Sequence, residues 1–143
     1  MTQWLVRAAG AMAVPLIAGV ALTGCSSAPS VLSTSDGGLI VVSGQQADAH
    51  PEALAKGRLE WGTGECLNVT VPDTGGILVV FPYGTVLSAD GVVGLPNGTV
   101  LRVGDEVGLG GGFYSPERTS GWERVPEACI TSEIFVASGE VSD

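Results

Sequence analysis

Asp90-Gly91-Val92-Val93-Gly94-Leu95-Pro96-Asn97-Gly98-Thr99-Val100-Leu101-Arg102-Val103-Gly104-Asp105-Glu106-Val107-Gly108-Leu109 is the stretch from which the fold can be read. Three apolar runs, Val92–Leu95, Thr99–Val103 and Glu106–Leu109, are punctuated by Asp90-Gly91, Asn97-Gly98 and Gly104-Asp105. Asn-Gly and Asp-Gly between apolar runs are hairpin signals, because Asn, Asp and Gly tolerate the positive φ that type I′ turns require. Runs this short cannot build helices, so the rhythm predicts strands joined by tight turns.

The same rhythm extends in both directions. Leu39–Ser43 is a β-branched run, and Gly57–Trp61 alternates apolar with polar. In Cys66–Val71, alternation puts Leu67, Val69 and Val71 on one face and Cys66, Asn68 and Thr70 on the other. Ile77–Phe81 is continuously apolar, which predicts a strand buried on both faces. Thr85–Ser88 and Ile134–Val136 complete the series, the latter before a polar tail. Many short strands at this spacing mean an all-β fold. The expected architecture is a small closed or partly open β-barrel of OB-like type, with a β-sandwich as the alternative. Only Gln45–Lys56 reads as weakly helical or irregular, with Pro51 suited to a first helical turn.

The chain has 143 residues, with 15 acidic against 6 basic side chains and a net charge of −9. That balance opposes binding to nucleic acid and electrostatic docking on anionic lipid, since both need cationic groups near phosphates. With 22 Gly, 8 Pro and 45% hydrophobic residues, the composition favours strands and turns over helices or disorder.

The N-terminus carries an address. Arg7 is the only charge before the apolar run Ala11–Leu22, which is shorter than the ~20 residues a permanent span requires. Charge, a short apolar stretch and small residues at its end make the layout of a secretory signal. It closes with Leu22-Thr23-Gly24-Cys25. This motif resembles the lipobox of bacterial lipoproteins, with an aliphatic and two small residues before a cysteine. The resemblance implies cleavage before Cys25 and acylation of its thiol, placing the protein on the extracytoplasmic face of the cell membrane as a lipid-anchored chain. Departing from the usual pattern, the leader has a single basic residue.

Ser26–Gly38 is rich in Ser, Gly and Pro and reads as a flexible tether. The expected division is therefore 1–24 signal peptide, 25–38 lipidated cysteine and tether, and 39–143 all-β extracytoplasmic domain.

Beyond Cys25, the chain has two cysteines, Cys66 and Cys129. An oxidising compartment permits them to pair, and a structural disulfide is the expectation. Two free thiols or a metal site are the alternatives. Zinc normally takes four ligands, His50 is the only histidine, and no CxxC is present, so neither a metal nor a redox role is expected.

The glycine-rich stretch Val103–Gly112 could cradle a phosphate through exposed backbone N–H groups. Phe113 stands where GxGxxG needs its third glycine, and no Lys-Ser/Thr follows, so close strand approach or a bulge is the expected role. Tyr83, Tyr114 and Trp122 are candidates for a stacking surface toward a sugar or a partner loop, with core packing as the competing role. No GxSxG, HExxH or SxxK accompanies His50, and Asp105-Glu106 would point to opposite faces of a strand.

Gly64-Glu65-Cys66-Leu67, Phe81-Pro82-x-Gly84-Thr85, Val103-Gly104-Asp105, Gly110-Gly111-Gly112 and Cys129 occur in an order similar to small uncharacterised extracytoplasmic domains of GC-rich bacteria. That likeness spans about Gly57–Val136 and implies a fold unit, with no activity attached. The functional expectation is a membrane-anchored lipoprotein with a non-catalytic envelope-binding domain, needing no cofactor, for an envelope protein or glycan. A structural or prophage exclusion-type surface lipoprotein and an envelope hydrolase are the alternatives.

Overall fold

The computed structural model describes residues 28–46, 53–116 and 121–142. Its strands are β1 (Ser30–Ser33), β2 (Leu39–Val42), β3 (Ala53–Trp61), β4 (Leu67–Val71), β5 (Gly75–Phe81), β6 (Val86–Leu87), β7 (Val92–Gly94), β8 (Val100–Arg102), β9 (Glu106–Tyr114) and β10 (Ile134–Ser142). The fold is all-β. Five strands close a ring in the order β5-β10-β9-β3-β4 and back to β5, with β5–β10 the parallel pair and the rest antiparallel. A small barrel of OB-like type accounts for this closure, which leaves the ring without free edges.

The apolar alternation decides the inside. Leu59, Leu67, Val69, Ile77, Val79, Phe81, Leu109 and Phe135 fill the barrel, joined by Val93 and Leu101 from the separate sheet β6-β7-β8. β5 is buried on both faces, as its unbroken apolar run predicts. Its outward residues Leu78 and Val80 enter a second cluster with Val41, Ile134, Val125, Cys66 and Cys129. That outer core is roofed by the β9–β10 connection, where 3-10 turns Trp122–Arg124 and Glu127–Cys129 cross the sheet. The Cys66–Cys129 disulfide, with Cα atoms 5.5 Å apart, fastens this roof to the start of β4.

One edge of β5 is shared. Its first half pairs with β4, and Val80 and Phe81 pair with Val41 and Val42 of β2. β2 in turn pairs antiparallel with β1. Here the tether expectation needs correction. Ser30–Ser33 is a strand, with Leu32 packed on the barrel core and Val31 on the outer core. Two apolar residues in a Ser-rich stretch lack a visible periodicity, and pairing with β2 supplies the order that composition does not.

A second correction concerns the helical reading. Ala53–Lys56 is the start of β3, paired with Leu109, Gly110 and Gly111 of β9 and with Gly108. Pro51 and His50 lie outside the described residues.

The hairpins form where Asp90-Gly91 and Asn97-Gly98 predict them, with a different turn. Leu95 N–H donates to Thr99 O (2.8 Å) and Gly98 N–H to Leu95 O (2.9 Å), making Pro96-Asn97-Gly98 a three-residue loop. Only the glycine takes positive φ, at 90° for Gly98. Asn97 instead accepts the Thr99 N–H and donates to Gly139 O. The glycine cluster acts through close approach. A Cβ on Gly110 would lie 3.3 Å from Ser138 Oγ, and the β9–β10 register shifts between Ala137 and Val141.

Candidate functional site

Loop contacts gather a cleft at the end of β3. Thr34 N–H donates to Gly38 O (2.8 Å), closing the β1–β2 turn, and Ser35 donates through both N–H and Oγ to Ala89 O in the β6–β7 loop. These ties bring Gly38 and Gly91 against the indole of Trp61, the last residue of β3. A Cβ on Gly38 would lie 2.7 Å from the ring, and one on Gly91 3.8 Å from it. A side chain at Gly38 would collide with the indole, whereas one at Gly91 would only touch it, so Gly38 is the glycine that keeps the slot open.

Trp61 lines two shallow hollows. One, of about 190 Å³, is bordered by Thr34, Asp36, Glu65 and Asp90. The other, of about 300 Å³, is bordered by Asp90, Val92, Arg102 and Val103. Asp90 therefore belongs to both. Its carboxylate accepts a hydrogen bond from Ser88 Oγ, which holds its pKa below the usual carboxylate range. Its own backbone N–H and the charge of Arg102 act in the same direction. Glu65 sits in the β3–β4 connection, a 3-10 turn at Thr63–Glu65 with φ +63° at Glu65. No three His, Cys, Asp or Glu side chains among the described residues are grouped to hold a metal ion. The cleft thus combines an indole that is partly buried on the barrel core with carboxylate acceptors and one guanidinium, spread as separate hydrogen-bonding groups.

A larger groove, of about 480 Å³, lies at the other end of β2. Tyr83 is 56% exposed on its rim, in a turn where Thr85 N–H donates to Pro82 O (3.1 Å) and Gly84 has φ +87°. Ser43, Gln45, Pro82, Pro96 and Val136 contribute to the walls. No charged side chain lines it among the described residues. Ser138, also in the lining, has a buried Oγ without a hydrogen-bond partner.

The aromatic residues singled out from sequence are distributed across the molecule. Tyr83 borders the groove, Tyr114 ends β9 opposite Ile134, and Trp122 packs partly buried on the outer core. Tyr83 follows β5 next to Pro82, which packs against Gly139, whereas Ile134 is five residues earlier on β10. At ~3.3 Å per residue, roughly 16 Å of strand separates the levels of Tyr83 and Tyr114. Cys66 and Cys129 form the expected disulfide. Cys25 lies outside the described residues. Trp61 and Asp90 escaped the sequence reading because their site is assembled from three separate loops. The only local trace is a tryptophan ending an alternating strand.

Compared with known proteins, the chain matches no family model, no curated protein and no solved structure.

Proposed function

We propose that this chain is a bacterial lipoprotein, acylated at Cys25 and held on the extracytoplasmic face of the cell membrane, whose barrel is a non-catalytic binding module for an envelope glycan. Leu22-Thr23-Gly24-Cys25 supports the anchor. The observation that carries the binding reading is the Trp61 indole lining two hollows with Asp36, Glu65, Asp90 and Arg102 around it. An aromatic surface with a few convergent polar groups suits a sugar, whose apolar face stacks while its hydroxyls donate to carboxylates. Barrels of this type use the connection between their first two ring strands to hold oligosaccharides or oligonucleotides. Here that connection contributes Glu65, and the acidic surroundings disfavour a phosphate backbone. The depressed pKa of Asp90 keeps it an ionised acceptor, opposite to the raised carboxyl that a glycosidase acid requires.

Two measurements test the reading. Cys25→Ala should move the protein from the detergent phase to the aqueous phase; retention in detergent would sink the lipid anchor. Soluble fragments of envelope glycan should change tryptophan emission saturably, and Asp90→Asn with Trp61→Phe should weaken binding at least tenfold. A protein captured from envelopes whose binding survives both substitutions would move the function away from the cleft.

A further inference from the structure

We propose that the barrel docks end-on against the bilayer through the rim around Tyr83, which points the Trp61 cleft away from the membrane. The inference rests on the acylation of Cys25 and assigns the anchored domain an orientation. It follows from where the chain joins the fold. Ala28 and Pro29 are already in place against Gly121. Two residues separate Cys25 from Ala28, so the domain begins at most ~11 Å from its anchor, three steps of 3.3–3.6 Å. A flexible tether running to Gly38 would have left orientation free; strand β1 removes that freedom.

The sheet register then selects the end that faces lipid. Ser30 pairs with Val42, which sets Pro29 beside Ser43. Ser43 N–H donates to Phe81 O (2.9 Å), so Pro82 and Tyr83 follow within roughly two strand spacings of the chain's arrival, ~10 Å. Gly38, against Trp61, lies five residues away along β2, roughly 17 Å at ~3.3 Å per residue. The near rim therefore meets the headgroups first. Its chemistry suits that position. Among the described residues no charged side chain lines the groove itself, and the acid at this end, Glu140, borders the adjoining hollow beyond Pro82 and Pro96, so the groove wall can meet headgroups without cationic attraction. Tyr83 offers an exposed amphipathic ring of the kind enriched at membrane interfaces. Because the anchor supplies a high effective concentration, a weak contact is enough to hold the orientation.

The test uses the acylated protein in vesicles of phosphatidylethanolamine and phosphatidylglycerol. Nitroxide labels are attached singly at Tyr83→Cys, at Gln45→Cys near the same rim, and at Asp36→Cys beside the cleft. Accessibility to oxygen should exceed that to a water-soluble nickel chelate several-fold at positions 83 and 45, and the ratio should reverse at 36. Acylated protein with all three labels equally aqueous overturns the docking alone. Lipid exposure at 36 with positions 83 and 45 aqueous inverts the orientation and overturns it too. Absence of acyl mass on Cys25 overturns the anchor and the docking together.

Discussion

Gly111 of β9 and Val136 of β10 approach so closely that a Cβ on Gly111 would lie 2.0 Å from the Val136 carbonyl oxygen. The obstacle is backbone inside a closed ring, and no side chain can swing aside to relieve it. Gly111→Ala should therefore destabilise the domain by roughly 3 kcal/mol or more, at the upper end of overpacking costs. Gly104→Ala is the control, since Gly104 has φ +96° with open space around it and should lose only about 1–2 kcal/mol. Denaturant unfolding of the two variants compares them directly, and equal losses would contradict the role given to strand approach.

The Cys66–Cys129 bridge closes a separation of 63 residues and pins the roof of the outer core. Chain entropy assigns it an upper-end contribution of about 4 kcal/mol. Paired Cys66→Ala and Cys129→Ala substitutions should lower the denaturant midpoint accordingly. Cys129 is 1% exposed, so reductant should act slowly on the folded protein and quickly once it is unfolded. Fast reduction under native conditions would show that the roof opens without global unfolding.

Strand β1 is part of the domain and contributes Leu32 to the barrel core. Leu32→Ala should cost about 1–2 kcal/mol, below the range for fully buried leucines because Leu32 is only partly covered. Backbone hydrogen exchange should show protection across Ser30–Ser33 comparable to β2. An unchanged midpoint in Leu32→Ala would return this segment to the role of a free tether.

Ser88 controls the titration of Asp90. The folded carboxyl has a lowered pKa, so its contribution to stability is present above the unfolded value, near 3.9, and is lost as pH falls through the lower folded value. Carboxyl-carbon NMR should place Asp90 below the ordinary range. Ser88→Ala should raise it toward that range, and Arg102→Gln should raise it less, because the Ser88 hydrogen bond is the larger cause. The reverse ranking would assign control to Arg102.

The barrel was legible because its strands alternate locally. Leu67, Val69 and Val71 turn inward, and Ile77–Phe81 is buried on both faces as an unbroken apolar run requires. Asp90-Gly91 and Asn97-Gly98 located their hairpins, while the loop length was settled by hydrogen bonds from Leu95 and Ser88 to residues four positions on. β1 and the start of β3 were misread because neither carries a periodic signal; each is ordered by its neighbour, β2 or β9.

The sequence by itself determined an acidic all-β chain with short strands, a Leu22-Thr23-Gly24-Cys25 motif that resembles a lipobox, and two further cysteines available to pair. These properties reside in composition, in the period of apolar residues and in motifs of consecutive residues. Only the tertiary structure decided that β5 and β10 close the ring in parallel and that Trp61 fits between Gly38 and Gly91. It also decided that the chain reaches the fold beside the rim that holds Tyr83. Each of these joins residues far apart in the chain, and such contacts are chosen by the packing and hydrogen bonding of the whole barrel rather than by any local propensity.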